Sequence, residues 1–200
     1  MKKFLVVLCA SMLVGIAAHG QQLTDADREK GVAYLEKTRD GVVESVKGLS
    51  DAQMNFKSGP DRWSVAQVLE HIALAEDFIF GHLTNDVLKA GPGAADRDAA
   101  KTDAGVLARV PDRSHPLKAP EPLVPTGRWT PEESLKHFLA SREKTIEFLK
   151  TATDLRAHVA DGPTGQPLDG YEWVLLIAGH SERHTKQILE VKADPNFPKQ

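Results

Sequence analysis

Two histidines near the carboxyl terminus have the spacing of a metal-binding pair. His180 and His184 lie four residues apart in the stretch GHSERHTKQI, within an apolar run that predicts a helix. One helical turn separates them, so both imidazoles point to the same side of the helix. Such a pair either binds a metal ion or consists of two core histidines bonded to carbonyls or carboxylates. Spacing alone leaves both interpretations open, because a chain with this many histidines contains roughly 0.3 such pairs by chance.

The pair does not form the HExxH motif of metalloproteases. In that motif a glutamate directly follows the first histidine and acts as the general base beside the metal. Here Ser181 follows His180, and Glu182 lies one position further on, rotated by about 200° to the other side of the helix. Glu182 is therefore excluded from the metal, and the HExxH mechanism is excluded with it.

A third ligand must come from another helix, and two histidines compete for that position. His71 lies beside Val68 and Ile72, on or next to the apolar stripe of the second predicted helix. His82 follows eleven residues later, so it faces almost the same way but lies about 16 Å further along the helix axis. One metal ion cannot bind both. The apolar neighbours favour His71, but the spacing leaves His82 open.

The remaining histidines are weaker candidates for metal ligands. His137 lies next to Phe138 on the third predicted helix, while His115 and His158 fall in irregular connections. Histidines in such connections are usually exposed or bonded locally, so we expect His115 and His158 to lie outside the site.

Four amphipathic helices must position these side chains. Apolar residues recur at helical spacing in four segments, and the first three begin with side chains that can cap free backbone N–H groups. The segments run from Thr24 to about Lys47, from Ser64 to about Lys89, from Thr130 through Leu149, and from about Asp169 to Pro195. Strand patterns are almost absent. The sequence therefore predicts an all-α protein, a four-helix bundle.

Two irregular connections interrupt the helical pattern. Residues 90–129 are rich in Gly, Pro, Ala and Asp, with a short helix expected around 103–109 and an extended KAPEPLVPTG segment after it. Residues 151–168 form a second, shorter connection. A long irregular crossover between helices 2 and 3 means that the bundle need not be simple up-and-down, and connections of this length are often functional.

The first 20 residues have the pattern of a secretory signal peptide. Lys2 and Lys3 precede an apolar stretch that ends near Ala18, and small residues follow. The apolar stretch is shorter than the roughly 20 residues that a membrane span needs. Cleavage would remove Cys9, the sole cysteine, and leave residues 21–200 as one exported domain, periplasmic or secreted, with no thiol and no stable membrane span.

The composition of residues 21–200 disfavours nucleic-acid binding. Once Lys2 and Lys3 are removed, 23 basic residues remain against 28 acidic residues, which gives a net charge of −5. Neither sign dominates a long stretch, whereas a nucleic-acid partner requires a basic surface. No repeat or change of composition indicates a second domain.

Four stretches of the sequence resemble the DinB-like superfamily of helical metalloproteins. In chain order they are LEKTRDGVVESVKGLSDAQMNFKSGPDRWS, WSVAQVLEHIALAE, PEPLVPTGRWTPEESLKHF and GHSERHTKQI. The resemblance implies a four-helix bundle that holds a divalent metal ion with one histidine from the second helix and an H-x-x-x-H pair from the fourth. Carried over to this chain, the ligands are His71, His180 and His184. The resemblance thus decides between His71 and His82 where spacing does not.

The resemblance also implies a class of activity. Some members are thiol-dependent transferases or isomerases, and others are described as hydrolases. Three neutral histidines leave a zinc, nickel or iron(II) ion with its full charge and open coordination positions, as in catalytic sites. We therefore expect a metal-dependent enzyme that acts on a small molecule by hydrolysis or by thiol or other group transfer. The alternative is a non-catalytic exported protein that binds metal or responds to stress. The substrate is not indicated, and the oligomeric state, a homodimer included, stays open.

Three further side chains have expected roles near the site or in the core. Glu76 could accept a hydrogen bond from a ligand histidine, but an exposed helix carboxylate is the expected role. Trp63 and Trp129 could line the mouth of a pocket, but tryptophans near helix starts usually anchor loops to the core.

Overall fold

The structure is a computed structural model that describes residues 22–199. The signal peptide predicted at residues 1–20, with its cysteine, lies outside the described residues. Within residues 22–199 no helix is both long and apolar enough to cross a membrane.

The described chain contains six α-helices, of which four are long. In chain order the helices are α1 Asp25–Val46, α2 Asp51–Asn55, α3 Val65–Asn85, α4 Ala99–Arg109, α5 Pro131–Thr151 and α6 Gly170–Lys192. The four long helices α1, α3, α5 and α6 correspond to the four predicted segments. Helices α1 and α3 each pack against both α5 and α6, which closes a four-helix ring. The predicted all-α four-helix bundle is confirmed.

Side-chain caps determine where the long helices begin. Ser64 and Thr130, the side chains predicted to cap the starts of α3 and α5, form capping boxes with Gln67 and Glu133. At the start of α1 the hydroxyl of Thr24 accepts a hydrogen bond from the Asp27 N–H. These bonds satisfy backbone donors that have no partner inside the helix, so each helix start is set locally by the sequence.

The connections contain more secondary structure than their composition predicts. The crossover, residues 90–129, holds α4 and a 3₁₀ helix, Glu121–Leu123, inside the segment that was expected to be extended. The connection after α5, expected to be irregular, contains an antiparallel hairpin of β1 Val159–Asp161 and β2 Pro167–Asp169. Three-residue strands are too short to show an alternating pattern, so their pairing is decided by tertiary contacts.

A buried polar layer divides the bundle core into two apolar clusters. Each long helix contributes one residue to this layer: Thr38, Glu76, Arg142 and Ser181. The Arg142 guanidinium donates to the Glu76 carboxylate, to the Thr38 hydroxyl at 2.6 Å and to the Ser181 hydroxyl at 2.8 Å. Glu76 is therefore buried and paired, and its expected role as an exposed helix carboxylate is wrong. Helix periodicity places Glu76 on a face, but only the opposing Arg142 makes its burial tolerable.

Candidate metal centre

The structure brings His71, His180 and His184 together between α3 and α6. Their ligand nitrogens all lie within 4.8 Å of one another, and the Nε2 atoms of His71 and His184 are 3.2 Å apart. His71 is buried, while His180 and His184 are partly buried. No cysteine or carboxylate joins this group in the described part of the chain. The three histidines predicted to be ligands therefore occupy one place in the fold.

The arrangement follows from the antiparallel packing of α3 against α6. His71 lies near the start of α3, which faces the second half of α6, where His180 and His184 stand one turn apart. Gly179 lets the crossover approach α6 directly before His180. A Cβ atom at Gly179 would lie 3.0 Å from Cγ1 of Val110, closer than side chains normally pack.

The outer nitrogens of two of the histidines are held by acceptors. Nδ1 of His71 donates to the backbone carbonyl of Leu123 at 2.7 Å, and Nδ1 of His184 donates to Oε1 of Gln187 at 2.8 Å. Arg113 donates to the same Oε1 at 3.3 Å, which orients the Gln187 amide with its oxygen toward both donors. When Nδ1 of a neutral imidazole carries the proton, Nε2 presents a lone pair.

The surroundings keep all three imidazoles neutral. Burial lowers the pKa of His71. Burial, and then the neighbouring imidazoles of His184 and His71, hold the pKa of His180 well below its ordinary value. Burial, followed by the charge of His71 in its protonated form, lowers the pKa of His184 to about 3. At neutral pH the cluster therefore consists of uncharged nitrogen ligands.

The cluster fits a divalent cation. Two Nε2 lone pairs that face each other at 3.2 Å repel, and neither can donate to the other while both Nδ1 atoms carry the protons. Two imidazoles bound at zinc–nitrogen distances in a tetrahedral site have nitrogens about 3.3 Å apart. A cation between the rings would replace this repulsion with two favourable bonds.

The other histidines that the structure describes lie outside the cluster. His82 packs against Trp173 with ring centroids 4.8 Å apart and the ring planes tilted, and its Nδ1 lies 2.9 Å from a carboxylate oxygen of Asp86. His82 is not part of the cluster, and of the two competing histidines it is His71 that lies beside His180 and His184. His115 is exposed, as expected. His158 is half-buried and bonds to the backbone carbonyl of Ala90 at 2.7 Å, which is 68 residues away in the chain and not a local partner. Both histidines lie outside the cluster, as predicted.

A second group on the surface contains the three residue types of a catalytic triad but in the wrong order. Asp77 accepts from His137 and from the Ser141 hydroxyl, each at 2.6 Å. A triad needs the histidine between the serine and the carboxylate so that it can take the serine proton. Here Asp77 lies in the middle, so the group links α3 to α5 and does not activate Ser141.

Two more expectations concern side chains around the cluster. Glu182 accepts a hydrogen bond from the Tyr34 hydroxyl at 2.9 Å, on the side of α6 that faces α1, in agreement with its exclusion from the metal-binding group.

Trp63 packs its ring against His71, with centroids 4.9 Å apart, and also lines a cavity of about 310 Å³. Trp129 instead stacks on His137. The pocket role considered for the two tryptophans thus applies to Trp63 alone.

Sequence reasoning missed the residues that orient the ligands. Leu123 acts through its backbone carbonyl, which no side-chain pattern reveals. Gln187 follows His184 by three residues, a spacing that allows contact on a helix, and was the one acceptor the sequence could have indicated. Arg113 reaches the site from the crossover, 74 residues away from Gln187 in the chain.

Comparison with known proteins identifies the family. A family model described as the DinB superfamily matches residues 34–188. The chain belongs to the DinB superfamily. The resemblance of its four sequence stretches to that family is thereby confirmed.

Three known proteins are similar to this DinB-superfamily chain over most of its length. Protein YuaE of Bacillus subtilis (strain 168), described as uncharacterized, is 26% identical over 149 residues, which cover 74% of this chain and 88% of YuaE. A Geobacillus thermodenitrificans (strain NG80-2) protein named "Putative metal-dependent hydrolase" is 25% identical over 175 residues, covering 86% of this chain and 87% of that protein.

The third relative is a solved structure. YfiT from Bacillus subtilis, whose title reads "a probable metal-dependent hydrolase with an unusual four-helix bundle topology", superposes with a TM-score of 0.60 at 17% identity. The match covers 88% of this chain and 91% of YfiT. At this identity the comparison shows a shared fold, and it agrees with the bundle of the DinB-superfamily chain described above.

Proposed function

We propose that this protein is a metal-dependent enzyme that binds a divalent cation through Nε2 of His71, His180 and His184. Its reaction would be hydrolysis or group transfer on a small molecule. One observation carries the proposal: three neutral imidazoles converge on one point, and the protons of His71 and His184 are held on the outer nitrogens, which leaves the Nε2 lone pairs of these two rings facing inward. The printed descriptions of two relatives, a "Putative metal-dependent hydrolase" and "a probable metal-dependent hydrolase", support the same class of activity.

The proposed ligand set favours a reactive site over a closed structural one. Structural zinc sites usually have four protein ligands, whereas catalytic sites have three and leave a position open. The described residues supply three histidines at this point and no further ligand. When bound, a divalent cation of this kind supplies Lewis-acid chemistry, acidifying water, polarising a carbonyl or stabilising a thiolate.

The chain's own residues would orient the ligands and receive the substrate. The Leu123 carbonyl and Gln187 hold the Nδ1 protons of His71 and His184, which keeps both rings in the binding orientation. The cavity of about 310 Å³ shares Trp63 and Gln187 with the immediate surroundings of these two histidines. Its other lining residues are mostly charged or polar: Ser58, Arg62, Arg113, Glu190, Val191 and Asp194. A small polar molecule fits this lining.

Elemental analysis tests the metal site directly. We expect the purified protein to hold about one equivalent of a divalent transition metal and the His71→Ala/His180→Ala/His184→Ala variant to hold almost none. His82→Ala is the matched control, because His82 is a histidine on α3 that lies outside the cluster. Undiminished metal content in the triple variant would refute the site. Imidazole suits zinc, nickel and iron(II) alike, so the same measurement also identifies the metal.

Turnover is tested by assaying the metal-free and the reconstituted protein on ester, amide and thiol-transfer substrates. Activity that returns with the metal and is absent from the triple variant would support an enzyme. Metal binding without turnover on any of these substrate classes would instead support the non-catalytic metal-binding protein considered as the alternative.

A further inference from the structure

Both histidine acceptors depend on the crossover. Leu123 lies in the 3₁₀ helix of the crossover, and its carbonyl accepts from His71. Arg113 lies just after α4, and through Gln187 it orients the acceptor of His184. The crossover is not one of the four bundle helices, so side chains of α3 and α6 must hold it in place against the bundle.

Glu70, directly before His71, holds the later part of the crossover. Its buried carboxylate accepts backbone N–H bonds from three consecutive residues: Thr126 at 3.0 Å, Gly127 at 2.9 Å and Arg128 at 3.3 Å. Gly127 has a φ of +74°, a conformation that glycine adopts without strain. Consecutive N–H groups that converge in this way form an anion-binding nest. One turn of α3 therefore carries both a histidine of the cluster and the anchor of that histidine's acceptor.

Arg183, directly before His184, holds the earlier part of the crossover. Its buried guanidinium donates to the backbone carbonyls of Asp112 and His115, the latter at 2.7 Å. These two carbonyls flank Arg113. The arrangement on α6 thus repeats the one on α3, with a buried charged residue preceding a histidine and bonding to the crossover backbone.

We propose that Glu70 and Arg183 are positioning residues of the metal centre. By holding the crossover against α3, Glu70 keeps the Leu123 carbonyl bonded to Nδ1 of His71. By holding the crossover against α6, Arg183 keeps Arg113 bonded to Gln187, whose side-chain oxygen accepts from Nδ1 of His184. The metal affinity of the cluster then depends on two residues that touch no ligand nitrogen. This inference rests on the proposed function, because it assigns the two residues a role in metal binding.

The first test measures the histidine tautomers in the metal-free protein by ¹⁵N NMR. In the wild type we expect His71 and His184 to carry the proton on Nδ1. Glu70→Gln should shift His71 toward a mixture of tautomers and leave His184 unchanged, whereas Arg183→Lys should do the reverse. Asp77→Asn is the matched control for Glu70→Gln, since it removes the same charge from a carboxylate on α3 that bonds to α5 and not to the crossover.

The residue-specific pattern separates positioning from a merely structural role. A general loss of stability would alter both histidines together or neither. If Glu70→Gln does not fold, Gly127→Ala disturbs the same nest from the crossover side and should affect His71 in the same way. Nε2 protonation in the wild type, or variants that leave both tautomers unchanged, would overturn the proposal.

The second test measures Zn²⁺ affinity by competition with a chromophoric chelator. Loss of an outer-shell partner typically weakens metal binding by about 10- to 100-fold, so Glu70→Gln and Arg183→Lys should each raise the Kd by about tenfold or more. Asp77→Asn should stay close to the wild type. Unchanged affinity in both variants overturns the positioning role while the proposed function stands. A wild type that binds no Zn²⁺, Ni²⁺ or Fe²⁺ overturns the proposed function, and the tautomer measurement then shows separately whether the crossover orients the histidines.

Discussion

Acid should destabilise the metal-free protein through the histidine cluster. The pKa of His184 is lowered to about 3 in the fold, because the side chain is buried beside other imidazoles, and it returns to about 6.5 on unfolding. At a pH between these two pKa values, the unfolded chain binds a proton on His184 and the folded chain does not. The free energy of unfolding is therefore unaffected by this group above about pH 7 and falls as the pH drops below about 6.5.

The magnitude follows from the two pKa values of His184. Between pH 7 and pH 5 the unfolded chain goes from about one quarter of a proton to almost a full proton at this position, while the folded chain stays unprotonated, which lowers the free energy of unfolding by about 2 kcal/mol. His180 and His71, whose pKa values are also lowered by burial, act in the same direction. For a domain whose total stability is about 5–15 kcal/mol, this is a large share.

Urea unfolding of metal-free protein at pH 7 and pH 5 measures the effect. We expect His184→Gln to lose about 2 kcal/mol less than the wild type over this interval, because glutamine does not titrate. His115→Gln is the control, since that side chain is exposed on the crossover and should keep the wild-type pH dependence. An identical loss in His184→Gln and the wild type would show that His184 is not held neutral by the fold.

Three more predictions follow from the same contacts. Zn²⁺ at about 1,000 times its Kd should stabilise the metal-free protein by about 4 kcal/mol, seen as a higher Tm at pH 7, and His71→Ala should abolish most of this shift. Arg142→Met should lower the free energy of unfolding by about 3–5 kcal/mol in urea, because it leaves the Glu76 carboxylate buried without its cation, and adding Glu76→Leu should recover much of the loss. Ni²⁺ should quench tryptophan fluorescence mainly through Trp63, whose ring lies against His71, so Trp63→Phe should remove most of the quenching while Trp129 and Trp173 still emit.

The helices and their caps could be read from the sequence because their causes are local. Ser64 and Thr130 cap their helices through bonds to residues three positions away. The apolar stripe of α6 likewise puts His180 and His184 on one face, since helical periodicity acts within a few residues. Local patterns were insufficient for the hairpin at 159–169 and for the 3₁₀ helix at 121–123, which are too short to carry a period.

The centre itself was predictable only in part. Spacing left His71 and His82 both open, and the family resemblance favoured His71. The structure brings His71, and not His82, to the pair, because antiparallel packing puts His71 opposite the second half of α6 and His82 opposite Trp173 near its start. Glu76 shows the opposite case, in which an expectation from residue type failed because Arg142, 66 residues away in the chain, neutralises it.

By itself the sequence determined four amphipathic helices, their starting points and a pair of histidines on one helix face, because each depends on contacts within about one turn. Only the tertiary structure decided which third histidine joins the pair, which nitrogens carry the protons and what holds them there. Those features depend on the Leu123 carbonyl, Arg113 and the anchors Glu70 and Arg183, which act across distances of 52 to 74 residues along the chain. The packing of the crossover against α3 and α6 brings them together, and no local pattern encodes that packing.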